Sequence, residues 1–333
     1  MKAAKDCRPA FLPHLRRSRR PAAVQGCPGH CRGASCECDA CEPGAEAVAA
    51  KGWLPAHKWL LLRRSSQIGI LLLFLVGPWF GLWIVKGNLN FSYTLNFLPL
   101  TDPYVILQSL LARQIPEKLA LIGVTIVVLF YLLVGGRAYC SWVCPVNLLT
   151  DFAYWLRVRL GIKGSAHISR PTRYWMLAMT LVLAAVTGSI AWEMVNPVSM
   201  MHRGLIFGLG LAWAVLLAVF LFDLFVMRHG WCGHLCPVGA FYSLIGKLSV
   251  VRVRLPARAA CNDCMDCFAV CPEPQVIRPA LKAIGGTPPV ILEANCTNCG
   301  RCIDVCSKDV FAFGTRFGNT VVPVAGVPQA APK

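Results

Sequence analysis

The sequence predicts an α-helical integral membrane protein with four transmembrane helices, built from a two-helix unit used twice and followed by a small α+β C-terminal domain. Three observations carry this expectation. The chain is 56% hydrophobic and only 15% charged, where about a quarter of a soluble domain's residues are charged. It contains four apolar stretches of span-like length. Eight of its 18 cysteines fall near the C-terminus in two quartets of one spacing.

In chain order, residues 1–50 come first. They hold Cys7, Cys27, Cys31, Cys36, Cys38 and Cys41 in a segment rich in Pro, Gly, Ala and Arg. That spacing matches no cluster or zinc pattern, and the composition predicts disorder. A start assigned too far upstream is preferred here over a metal site.

Residues 51–250 form the predicted membrane domain. Its apolar stretches are Ile68–Val85, Leu119–Val134, Tyr174–Trp192 and Gly204–Met227, and about 20 residues cross the hydrocarbon core. Trp79, Trp83, Trp142, Tyr174, Trp175, Trp192 and Trp231 lie near the ends, as interfacial aromatics do. Asp223 lies inside the fourth stretch, close enough to its end to reach headgroups. Asn196–Pro197 should break the third helix or start a turn.

The net charge of +17 follows this topology rather than a nucleic-acid surface. Residues 1–65 carry twelve Lys/Arg, 135–173 six and 228–333 eleven, whereas 193–203 carry one and 86–118 three. The positive-inside rule then places both termini in the cytoplasm. No signal-peptide pattern precedes the first stretch, and no apolar run follows the arginines at 16–20.

The two even-numbered stretches end alike. Cys140–Ser–Trp–Val–Cys144–Pro145 follows the second, and Cys232–Gly–His–Leu–Cys236–Pro237 follows the fourth. Cysteines at i and i+4 share one helical face, so four thiols meet if the units pack about a pseudo-twofold axis. They then ligate a further metal centre or cycle between dithiol and disulfide; the bland alternative is packing by small residues.

Residues 251–317 carry the quartets. Cys261, Cys264, Cys267 and Cys271 read C-x2-C-x2-C-x3-C-P, and Cys296, Cys299, Cys302 and Cys306 repeat the count. This is the bacterial ferredoxin spacing for two [4Fe–4S] clusters, in which the fourth cysteine serves the other cluster. Cys261, Cys264, Cys267 and Cys306 are therefore expected to hold one cluster, and Cys296, Cys299, Cys302 and Cys271 the other. Zinc competes for C-x2-C spacings, but the repeated x2, x2, x3 count is more specific to clusters. The linker 272–295 reads as loop and turns, and residues 318–333 as a disordered tail.

From about Lys51 to Phe317 the chain resembles the NapH family of ferredoxin-type membrane proteins. The resemblance is carried by Gly77–Pro–Trp–Phe–Gly81, Leu100–Thr–Asp–Pro103, the Cys140–Pro145 run, Trp192–Glu–Met–Val–Asn–Pro–Val–Ser199, His229–Gly–Trp–Cys–Gly–His234, Cys264–Met–Asp–Cys267 and Pro272–Glu–Pro274. It implies a bacterial inner-membrane quinol dehydrogenase component that passes electrons toward a periplasmic nitrate reductase. The implied partners are a periplasmic ferredoxin-type protein, NapG, and in some systems a membrane-anchored multihaem cytochrome c, NapC. This chain has no C-x2-C-H haem site and no sign of a molybdopterin domain, so it reads as neither the cytochrome nor the terminal reductase.

Quinol oxidation releases two electrons and two protons, so it needs a hydrogen-bond acceptor near a redox centre. Glu193 and His202, with Asp102, are the candidate acceptors in the outer loops. The competing functions are an assembly or maturation factor supplying electrons to a metalloenzyme, and a docking scaffold stapled by its clusters.

Overall fold

The structure, a computed structural model, describes residues 43–317 except 163, 167 and 209. The six N-terminal cysteines and the segment 318–333 lie outside the described residues. The expected disorder through residue 50 is corrected at its end. Helix α1 (Ala45–Lys51) forms there, and the Gly44 N–H donates to the Asp266 carboxylate at 3.0 Å.

After the short turn α2 (Trp53–Ala56), helix α3 runs from Lys58 to Phe80. It starts well before the expected Ile68 and stops short of Val85. Gly81 ends it by taking a left-handed φ of 73° and bonding back to the Gly77 carbonyl, a conformation that only glycine adopts without a steric penalty. Among the described residues α3 is the one helix long and apolar enough to cross a membrane by length and composition. Helices α5 (Lys118–Val134) and α7 (Thr172–Thr187) are apolar but shorter.

The expected single helix over Gly204–Met227 is two helices. Helix α8 (Pro197–Phe207) stops at Gly208, whose φ is 87°, and α9 (Leu211–Leu221) starts after the extended Gly210. Two glycines within three residues let the chain fold back on itself there, and an apolar count does not register that break. A π-helical turn, Phe222–Val226, continues α9.

The outer segment 86–118 also gains structure that composition did not announce. Strands β1 (Val85–Gly87), β2 (Phe91–Thr94) and β3 (Leu98–Thr101) form an antiparallel sheet in that order. Helix α4 (Pro103–Leu111) follows.

The duplication therefore reaches further than the cysteine pairs. Each unit runs apolar helix, short capped helix, apolar helix, π-helical turn and final helix. The short helices α4 and α8 begin identically, with proline at the first position and an Asx side chain as N-cap. Asp102 accepts from Tyr104 N at 2.9 Å, and Asn196 accepts from Val198 N at 3.1 Å. The π-helical turns are Tyr139–Val143 and Trp231–Leu235, leading into α6 (Val146–Arg159) and α10 (Pro237–Gly246).

The C-terminal domain is closed by strand β4 (Val251–Arg254) pairing antiparallel with β5 (Ala312–Thr315). Between them lie α11 (Asp266–Val270), α12 (Ile277–Leu281) and α13 (Arg301–Asp304). The linker is not all loop, because α12 buries Ile277, Ala280 and Leu281 in the core with Val253, Leu255 and Phe311. Pro279 is tolerated because the N–H groups of the first helical turn have no partner to lose.

The first unit meets the second without a gap. A Cβ on Gly136 would lie 2.1 Å from the Tyr242 carbonyl oxygen and 2.3 Å from Gly246 N. Both neighbours are backbone, so neither swings aside. Gly136→Ala is expected to destabilise the purified protein by about 3 kcal/mol, as overpacking against fixed atoms does, read from thermal unfolding in detergent. Gly69→Ala, inside α3 with nothing within 4 Å of its new methyl, should not lower the midpoint and should raise it slightly, as alanine for glycine in a helix interior does.

Candidate functional site

The quartets share one backbone device. Asp263 and Met265 in the first, and Asn298 and Gly300 in the second, take positive φ at matching places between cysteines. This curl aims successive N–H groups inward, toward the thiols they separate. Val310 N also donates to Cys306 Sγ at 3.4 Å.

The grouping of thiols follows the crossed pattern. Cys261, Cys264, Cys267 and Cys306 line one cavity, walled by Phe268 and Leu281. Cys271 lies within electrostatic reach of Cys296, Cys299 and Cys302. Burial pushes the Cys267 thiol up to about 12 and the Cys296 thiol to about 11, so at neutral pH metal binding displaces protons from them. Among the described residues no three His, Cys, Asp or Glu side chains close on a single-ion position.

The second quartet docks on the first π-helical turn. Ser141 Oγ donates to Thr297 O at 2.7 Å, and Trp142 Nε1 donates to Asn298 O at 2.9 Å. Asn298 Nδ2 donates in return to Val134 O at 3.0 Å. Cys299 lines a small cavity together with Cys140 and Cys232, the leading cysteines of the two pairs. Trp142 is thus a donor at this junction, and Trp192 is buried and stacked on Trp231 at 6.3 Å.

Two buried acids clasp this junction. Glu273, just after Cys271–Pro272, accepts from Arg137 and Arg173 at 2.9 Å each, from Arg170 at 2.5 Å and from Gln275 at 2.6 Å. Burial alone would raise its carboxyl, but Arg137 and Arg173 outweigh burial and hold it at about 2. Arg137 also donates to Cys232 O at 3.2 Å and Arg173 to Gly233 O at 3.2 Å. Asp151 on α6 accepts from Arg301 at 2.6 Å through both oxygens and pairs with Arg64. Here too burial is outweighed, by Arg301 first and by Arg64 and Arg63, and the carboxyl stays well below its usual range. Burial lowers the His229 imidazole to about 3, so it is neutral.

The outer candidates separate. Glu193 accepts from Asn90 at 2.6 Å and Asn196 at 3.3 Å, and pairs with Arg203 at 3.5 Å. Those bonds tie the β-sheet to the start of α8. His202 is buried against Phe74, with Nε2 lacking a partner. Asp102 alone reaches inward, accepting from Tyr242 Oη at 3.3 Å. Tyr242 stacks on Tyr139 at 4.9 Å, the residue preceding Cys140. Burial raises the Asp102 carboxyl to about 6, against the bonds from Tyr104 N and Tyr242. Asp223, expected to reach out of its apolar stretch, is instead buried and accepts from Trp231 N at 2.9 Å, pinning the second cysteine turn.

Sequence reasoning missed Glu273, Arg137, Arg173, Asp151, Arg301 and the tyrosines. Only Glu273, between two prolines beside a ligand cysteine, carried a local signal.

Comparisons with known proteins agree with this layout. Residues 118–163 and 208–256 match a family model described as a 4Fe-4S binding domain, and residues 260–310 match a 4Fe-4S dicluster domain. The methylamine utilization ferredoxin-type protein MauN of Methylorubrum extorquens AM1 is 55% identical over 279 residues, 84% of this chain and 96% of the relative. MauN of Paracoccus denitrificans is 56% identical over 270 residues, covering 81% and 95%. The ferredoxin-type protein NapH of Escherichia coli K12 is 49% identical over 279 residues, covering 84% and 96%. No solved structure matches the chain.

Glu273→Gln leaves three arginines facing a neutral amide. It should cost about 3 kcal/mol, as breaking a buried ion pair does, measured as a lower thermal midpoint. The carboxyl is held at about 2 against an ordinary 4.5, so its contribution is full above about pH 4.5 and is lost as pH falls toward 2. The gap between variant and wild type should close across that window.

Proposed function

We propose that this chain, which belongs to the NapH and MauN family of ferredoxin-type electron-transport proteins, is a multi-pass membrane subunit that takes electrons from quinol and passes them toward a periplasmic oxidoreductase. The seating of the second quartet against the paired C-x3-C-P turns carries this reading, because it joins a ferredoxin-type domain to the interior of an apolar bundle. A soluble ferredoxin has no use for such a seat.

Membrane crossing by α3, α5, α7 and α9 is supported by their outward faces. Leu72 and Leu73 on α3, Ile122, Leu129 and Phe130 on α5, Val182 and Val186 on α7, and Leu217 and Leu221 on α9 are all exposed. A surface so apolar favours lipid over water. With the basic segments inside, both described ends and the ferredoxin-type domain lie on the cytoplasmic face of a bacterial inner membrane.

The cysteines fit two four-iron clusters, one held by Cys261, Cys264, Cys267 and Cys306 and one by Cys271, Cys296, Cys299 and Cys302. When bound, such clusters accept and release electrons one at a time. The protein's own residues supply docking, through Glu273 and Asp151, and a place for protons. Asp102 is the acceptor, in preference to Glu193, whose carboxylate is committed to Asn90, Asn196 and Arg203. The duplicated fold supports this choice. Asn196 does the same capping in the second unit without charge, so capping does not require the acid at 102. His202, with a free Nε2, is a second hydrogen-bonding group.

The recipient is argued from relatives. The NapH resemblance points to a periplasmic nitrate reductase, with a NapG-type ferredoxin and a NapC-type cytochrome as partners. The higher identity to MauN proteins, 55–56% against 48–49%, favours a second reading, electron supply in methylamine utilization. Within either setting the alternative role is maturation, in which electrons keep a metalloenzyme reduced during assembly. Membrane vesicles lacking this chain decide between flux and maturation. If quinol still reduces the periplasmic partner at the normal rate, the quinol-oxidising role is wrong. Deletion strains grown on methylamine or on nitrate identify the recipient.

Asp102→Asn keeps the cap, as Asn196 shows, but removes the proton acceptor. Quinol-dependent cluster reduction should fall about 100-fold, in the range of general-base catalysis, while dithionite reduces the clusters as before. Asp102 protonates below about pH 6, so the wild-type rate should drop as pH falls through that value, and the variant should show no such step.

A further inference from the structure

Each stretch matched as a 4Fe-4S binding domain contains only two cysteines, Cys140 and Cys144 in one and Cys232 and Cys236 in the other. A cluster of this kind takes four thiolates. Neither unit holds one alone, and the ferredoxin quartets are already complete.

The two units supply matching halves. Cys144 and Cys236 end their π-helical turns with nearly the same backbone, φ −65° and ψ 117° against φ −66° and ψ 114°. Their N–H groups bond back five residues, to Tyr139 O at 3.0 Å and Trp231 O at 2.9 Å. A π-helical turn is a rare, strained device found mostly at functional sites, and here it occurs twice at one position of a repeat. Each cysteine thus sits just before the first turn of the helix that follows, α6 for Cys144 and α10 for Cys236.

The halves face each other. Each of the four thiols lies within electrostatic reach of the other three. Cys140 Sγ stands 4.0 Å from where a Cβ on Gly239 would be, over the helix that follows Cys236. Thr150 Oγ1, in the first unit, lies 3.9 Å from Cys232 Sγ in the second.

The charge around them is unbalanced for a set of neutral thiols. Arg63, Arg64, Arg137, Arg170, Arg173 and Arg301 surround the junction, against the carboxylates of Glu273 and Asp151. A four-thiolate cluster is anionic and makes up part of the deficit.

We propose that Cys140, Cys144, Cys232 and Cys236 together hold a third [4Fe–4S] cluster, shared between the two repeats and set between the second ferredoxin quartet and the apolar bundle. The site extends the electron-transfer reading but does not depend on quinol as the donor.

The test is metal content of the full chain purified anaerobically in detergent. About 12 irons and 12 acid-labile sulfides per chain are expected, where two clusters alone give about 8 of each. The double variant Cys140→Ser, Cys232→Ser should retain about 8, with the EPR signal of the dithionite-reduced ferredoxin quartets unchanged. A wild-type count near 8 overturns the third cluster while leaving the two-cluster function intact. A count near 10, bound zinc, or a variant that keeps 12 irons also overturns it. A count below 8 would strike at the ferredoxin quartets themselves. If the double variant does not accumulate, the wild-type count decides.

Discussion

Glu273 sits where three parts of the molecule meet, and its carboxylate pairs with Arg137 of the first unit and with Arg170 and Arg173 beside the second. A charge buried this deeply is costly unless it is paired and hydrogen-bonded. Here the two oxygens accept four side-chain donors, Gln275 included. The arginines then have spare N–H groups for the carbonyls of Asn295, Cys232 and Gly233. A single acid, placed by its covalent link to Cys271, thereby sets the distance between the ferredoxin-type domain and both cysteine turns. Asp151 repeats the arrangement on the far side, joining α6 and α3 to Arg301 beside Cys299 and Cys302.

This arrangement gives the positive charge a second meaning. The surplus of Lys and Arg reads as a topology signal along the sequence, because segments 86–118 and 193–203 are poor in it. Yet several of the same arginines are fully buried at the junction. They serve a compact electrostatic core that anionic iron–sulfur centres complete. In a low-dielectric setting such a core both orders the interface and favours the reduced, more negative state of whatever centre lies within it.

Duplication explains much of the architecture, and its breaks are as informative as its matches. The Asx–Pro caps, the π-helical turns and the C-x3-C-P pairs recur in register. Asp102 differs from Asn196, and Arg137 from His229, at corresponding places. The first unit thus carries a buried acid and the clasping arginine, and the second carries neutral counterparts. From the acid at 102 a chain of contacts runs through Tyr242 and Tyr139 to the backbone neighbour Cys140.

The ferredoxin-type domain, the spacing of its two quartets, the duplication and the paired cysteines were legible from the sequence alone. Those signals are local: a spacing of two or three residues is set by backbone geometry within one turn, and Pro or Gly acts on its nearest neighbours. The sequence also located the apolar segments, though not the break at Gly208–Gly210 or the helix inside the linker, because composition counts apolar residues without seeing where the chain reverses. The tertiary structure alone brings the four thiols of the two units near one another, turns Asp102 inward while asparagines hold Glu193, and closes the junction with Glu273. Those outcomes join residues more than a hundred positions apart, and a Coulomb or hydrogen-bonded pairing over that separation exists only once packing has brought both partners out of water to the same place.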